Sequence, residues 1–100
     1  MIEVRQTEAF SNWLRKLRGL KALARIQIRI RRLSLGNLGD VKSVGDGISE
    51  LRIDYGPGYR VYFQRTGGLL VLLLIGGTKS TQQSDIAKAK KLAKEAKNGT

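Results

Sequence analysis

The sequence predicts an α+β domain in which helices pack on a mainly antiparallel sheet. Three observations carry that expectation. Two runs rich in aromatic and β-branched residues, between Glu50 and Phe63, flank Gly56-Pro57-Gly58 as a hairpin would. Leu69 to Ile75 is continuously apolar, so both faces of that strand need cover and it belongs at the centre of a sheet. Apolar residues recur at helical spacing on either side of these strands, at Phe10, Trp13, Leu14 and Leu17 and again at Ile86, Ala89, Leu92, Ala93 and Ala96.

From the N-terminus, Ile2 to Gln6 alternates apolar and polar residues as a half-buried strand does. Thr7 suits an N-cap, Glu8 suits the first turn, and Gly19 is the expected end of the first helix. Leu20 to Leu35 is more ambiguous. Ile26, Ile28 and Ile30 alternate with polar residues, but Leu23, Ile26, Ile30 and Leu33 fit a helix stripe. The segment is too long for an ordinary strand, so a second helix is expected, forming a helical hairpin with the first and stopping at Gly36-Asn37. Asp40 to Gly45 is a short strand followed by an Asp46-Gly47 turn. After the 50–63 hairpin, Gly67-Gly68 makes another turn, and Gly76-Gly77 is the expected end of the apolar strand. Ser80 with Gln83 resembles a capping box opening the last helix, whose lysines lie outside its apolar stripe.

With Gly56-Pro57-Gly58 as the loop, Ile53 faces Val61 and Leu51 faces Phe63 on one side of the hairpin. The other side pairs Arg52 with Tyr62 and Asp54 with Arg60. One face is oily and suits packing on helices. The second carries two guanidiniums and a phenol, and is the face on which chemistry is expected.

A hundred residues make one small domain. The chain has neither cysteine nor histidine, which excludes disulfides, zinc–thiolate sites and Ser-His-Asp or Cys-His catalysis. The acids Asp40, Asp46, Glu50 and Asp54 follow no recognised ligand spacing, so no metal is expected. Gly76-Gly77-Thr78-Lys79-Ser80 lacks P-loop spacing, and no small-molecule cofactor is expected. No apolar run approaches the roughly 20 residues that span a membrane, and no signal-like start is present, so a cytoplasmic location with no membrane partner is expected. The net charge of +11 favours a polyanionic or acidic partner. Between Arg15 and Arg32 eight basic residues occur with no acid, either as a solvated face or as a surface for such a partner.

What remains is phosphate chemistry driven by positive charge. RNA is cleaved without metal when its 2′-hydroxyl is aligned on its own phosphate and guanidinium forks stabilise the charge that develops. Arg52, Arg60 and Lys79 are the candidate catalytic residues. Lys42, Tyr59, Tyr62, Arg29 and Arg32 are candidate RNA-binding residues, with the tyrosines as base platforms or packing residues. Arg60 has the alternative of pairing with Asp54 across the ribbon, and Arg52 and Lys79 have that of being ordinary solvent-facing charges.

Gly36-Asn37-Leu38-Gly39-Asp40-Val41-Lys42, Glu50-Leu51-Arg52, Gly56-Pro57-Gly58-Tyr59-Arg60-Val61-Tyr62-Phe63 and Gly76-Gly77-Thr78-Lys79-Ser80 occur in this order. As an ordered set they resemble the RelE/HigB-type toxins of bacterial type II toxin–antitoxin systems, within the phage-derived addiction module killer protein branch. The resemblance runs from Phe10 to Ile86. It implies a RelE-like sheet with two N-terminal helices and one C-terminal helix. It also implies metal-independent messenger RNA cleavage on the ribosome, and neutralisation by a cognate antitoxin, usually a small helix-turn-helix protein. By position, Arg60 matches the family's phosphate-stabilising arginine. Arg52 stands where relatives carry a basic strand residue, and Lys79 lies in the basic loop before the last helix. The chain departs from the family where some relatives carry a C-terminal histidine or a last-helix tyrosine. Gln82, Gln83 and Asp85 occupy that neighbourhood, which leaves the general acid unassigned. The same fold also serves ParE toxins, which bind DNA gyrase. The sequence therefore leaves three readings: an endoribonuclease toxin, a gyrase inhibitor, and an inactive basic protein that binds nucleic acid or antitoxin.

Overall fold

The structure, a computed structural model, describes residues 2–98. In chain order its elements are β1 (Glu3–Gln6), α1 (Glu8–Lys16), α2 (Leu20–Ser34), β2 (Val41–Gly45), β3 (Ile48–Ile53), β4 (Tyr59–Thr66), β5 (Leu70–Thr78), a 3₁₀ turn (Lys79–Thr81) and α3 (Gln82–Asn98). The five strands form one sheet in the order β1-β5-β4-β3-β2, antiparallel except where β1 runs parallel to β5. The expected α+β class, with two N-terminal helices and one C-terminal helix on a mainly antiparallel sheet, is the observed one. No helix among the described residues is long and apolar enough to cross a membrane.

Strand alternation divides the core in two. Leu51, Ile53, Val61, Phe63, Val71 and Leu73 meet Phe10 of α1 and Ile26 and Leu33 of α2 on one face. Ile48, Tyr62, Leu74 and Ile75 meet Ala89 and Ala93 of α3 on the other. The face expected to be open and polar is thus partly roofed by the last helix. A bulge between Tyr62 and Phe63 on β4 leaves Leu74 of β5 as the extra residue, so Leu74 and Ile75 both join the α3 side.

Thr7 caps α1 as expected, its hydroxyl accepting from the Phe10 N–H at 3.0 Å. The helix ends at Lys16, however, and Gly19, with φ +96°, opens α2 instead of closing α1. α1 lies against β5 and α2 against β3, so the two helices spread over the sheet. Ile26 is fully buried and Ile28 is 49% exposed, so the helical period, not the strand alternation, governs that stretch.

The hairpin register differs by two residues from the expected one. Arg52 pairs with Arg60, Leu51 with Val61 and Ile53 with Tyr59. Two further residues join the loop, which runs from Asp54 to Gly58 and is closed by the Gly58 N–H on the Tyr55 carbonyl at 3.1 Å. Because the shift is even, every side chain keeps its face.

β5 continues through Gly76 and Gly77 to Thr78, where a stop was expected. Both glycines serve close approach. A Cβ on Gly76 would stand 2.3 Å from the Trp13 ring, and one on Gly77 would stand 1.8 Å from the Asp85 carboxylate. The capping box is Thr78 with Thr81, not Ser80 with Gln83, because the 3₁₀ turn precedes α3.

Candidate functional site

The β3–β4 register sets Arg52 and Arg60 side by side on the α3 face of the sheet, and Gly77 of β5 completes that row. Asp40 extends it on the other side, its carbonyl accepting from the Arg52 N–H at 3.0 Å. Gly58 turns with φ +79°, and its carbonyl accepts from the Lys79 N–H at 2.8 Å. This bond ties the Gly-Pro-Gly loop to the end of β5 and brings Lys79 beside the arginines. Together Arg52, Arg60 and Lys79, with Asp40 and Asp54 at the rim, line an open cleft of about 340 Å³. The three expected catalytic residues therefore share one cleft.

Behind the arginines stands Glu50, fully buried. Its Oε1 lies 3.8 Å from both the Arg52 Nε and the Arg60 Nε. Its Oε2 accepts from the Gln82 Nε2 at 2.6 Å and from the Tyr62 hydroxyl at 3.3 Å. The carboxylate supplies the charge that makes burial of Arg60, only 7% exposed, tolerable. At 3.8 Å it attracts the guanidiniums without consuming a hydrogen bond. Both Nε atoms are buried without a hydrogen-bond partner, and neither guanidinium donates to any of the described residues. The cleft thus holds two planar forks with unspent donors, an arrangement suited to an oxyanion with several oxygens.

The remaining expected residues are distributed differently. Tyr62 is fully buried, so its ring offers no platform for a base. Burial, followed by the charge of Glu50 and the hydrogen bond to it, pushes its phenol well above the ordinary value near 10. Tyr59 lies on the opposite face from Arg60, packed edge-on against Trp13 with centroids 6.5 Å apart. Arg60 makes its ion pair with Glu50, and Asp54 forms none among the described residues. Lys42 is exposed on β2, opposite Glu50 and on the arginine face. Arg29 holds backbone: it donates to the carbonyls of Arg52, Leu38 and Asp40 and so fixes the segment that carries Arg52. Burial lowers its pKa below the usual arginine value, against the raising effect of Asp40. Arg32 lies exposed on α2, in a separate hollow on the helical side of the sheet.

Sequence reasoning missed Glu50 as the hub and Gln82 as its partner from α3. The Glu50-Leu51-Arg52 spacing carried part of the signal, since residues two apart on a strand share a face. No group of three or more acidic residues able to hold a metal occurs among the described residues.

No family model matches the chain. A protein of Haemophilus influenzae, described as uncharacterized, is 57% identical to it over 94 residues, covering 94% of this chain and 95% of its own length.

Proposed function

We propose that this chain, which belongs to the same family as that Haemophilus influenzae protein, is the toxin of a type II toxin–antitoxin module and acts as a metal-independent, ribosome-dependent endoribonuclease. The observation that carries the reading is the cross-strand pair Arg52–Arg60, drawn to a buried Glu50 with its donors unspent, in one cleft with Lys79.

In the proposed reaction the 2′-oxygen of a messenger RNA nucleotide bonds to its own phosphorus while the bond to the 5′-oxygen breaks. The products are a 2′,3′-cyclic phosphate and a 5′-hydroxyl end. Arg52 and Arg60 take the non-bridging oxygens, whose charge grows in the transition state. The proton lost by the 2′-hydroxyl passes to a rim carboxylate, and the leaving oxygen takes one from the Lys79 ammonium. Rigid donors of this kind are worth about 10²–10³ in rate each. The charge of +11 also suits an acidic neutralising partner, assigned here to the cognate antitoxin.

Expression of the chain without antitoxin tests the reading. Wild type arrests growth. Arg60→Lys keeps the charge beside Glu50 but removes the fork, and Arg52→Ala removes the more exposed partner; both lose the arrest while retaining wild-type circular dichroism. Full toxicity in both variants overturns the assignment. Arrest with a DNA-damage response and intact messengers transfers the chain to the gyrase reading.

A further inference from the structure

Arg25, Arg29 and Arg32 stand at i, i+4 and i+7 on α2 and form one stripe. Arg29 is spent on backbone carbonyls, but Arg25 and Arg32 are exposed and make no ion pair among the described residues. The Arg25 guanidinium lies 4.4 Å from the centroid of the half-buried Tyr55 ring. With the exposed Ile28, these arginines line an open hollow of about 220 Å³. Ile53 and Asp54 line this hollow and the Arg52–Arg60 cleft alike, so the end of β3 is a wall common to both.

The hollow's chemistry is that of a nucleobase site. A flat cation backed by a phenol ring, beside an exposed aliphatic side chain, is a surface on which a base stacks. Asp54 in the hollow's wall can accept hydrogen bonds from the amino and imino groups of a base edge. Position adds direction: a strand whose phosphate sits between Arg52 and Arg60 has only the Ile53–Asp54 wall to cross.

We infer that the hollow between Arg25 and Arg32, whose Arg25 guanidinium is backed by Tyr55, receives the unpaired base of a nucleotide flanking the scissile phosphate in single-stranded RNA, with Arg32 meeting the next phosphate. This inference rests on the endoribonuclease reading and extends it, because it assigns the flanking-base preference to residues outside the reacting cleft.

The test is a translating extract in which messenger 5′ ends are mapped and counted for wild type, Arg25→Gln and Tyr55→Leu. Arg25→Gln and Tyr55→Leu are expected to cut about tenfold more slowly, the value of one lost base stack. They are also expected to flatten the base preference at one position beside the cut. Both variants are expected to keep the wild-type circular dichroism spectrum and thermal midpoint, which separates a lost stack from a folding defect. Unchanged rate and base distribution in Arg25→Gln and Tyr55→Leu overturns the inference and leaves the nuclease reading standing. Absence of any cut by wild type overturns both.

Discussion

Glu50→Gln is the sharpest perturbation the site offers, because it preserves shape and removes one charge. In the wild type two guanidinium Nε atoms lie 3.8 Å from Oε1. At an effective dielectric of about 20, each pair is worth roughly 4 kcal/mol of attraction, part of which offsets the cost of burying the carboxylate. Arg52 is 40% exposed along its side chain and can turn to water; Arg60, at 9%, cannot. The variant thus leaves one buried cation uncompensated, at a net cost of about 3 kcal/mol, at the low end for a broken buried pair. For a chain of this size that lowers Tm by roughly 12–24 °C. Thermal unfolding followed by circular dichroism, at matched protein concentration, measures it. A fall of less than about 4 °C, under 1 kcal/mol on the same scale, would refute the view that Glu50 holds the arginine pair in place.

Two further outcomes follow from the packing around this site. Gly76→Ala drives a methyl into the Trp13 ring, 2.3 Å away, and is expected to destabilise by about 1–3 kcal/mol in urea titration, whereas an unchanged midpoint would mean that Trp13 is free to withdraw. Tyr62 is one of three tyrosines, and its phenol is held neutral by burial and Glu50. Its raised folded-state pKa means that its contribution to stability is fully present below the ordinary value near 10 and is lost as pH rises above it. Absorbance titration of the tyrosines should therefore lose its latest, most alkaline part in Tyr62→Phe; a titration whose alkaline end is unchanged by that substitution would contradict the burial.

The fold was largely legible in the sequence because its elements obey local rules. Leu70 to Ile75 of the apolar run do lie inside the sheet, between β1 and β4, while Leu69 precedes the strand and is exposed, and Thr7 does cap α1. The errors arose where tertiary contact overrides local preference. Gly76 and Gly77 read as a strand end, yet they remain in β5 because Trp13 and Asp85 need the room. The hairpin slipped by two residues because nothing in a Gly-Pro-Gly signal says how many flanking residues the loop consumes. The gathering of Arg52, Arg60 and Lys79 was legible, since face and turn placement follow from alternation. The burial of Tyr62 and the centrality of Glu50 were not, because both depend on where α3 crosses the sheet. The basic run 15–32 also concealed a division of labour: Arg29 secures backbone, and Arg25 and Arg32 remain exposed.

The central claim is that paired guanidiniums break a phosphodiester in a chain that lacks histidine. Primer-extension mapping of a defined messenger, translated in an extract with the purified protein, tests it most directly. New ends within codons, carrying 5′-hydroxyls and absent with Arg60→Lys, are the expected result. A messenger left intact by wild type, or cut equally by the folded Arg60→Lys variant, would contradict it.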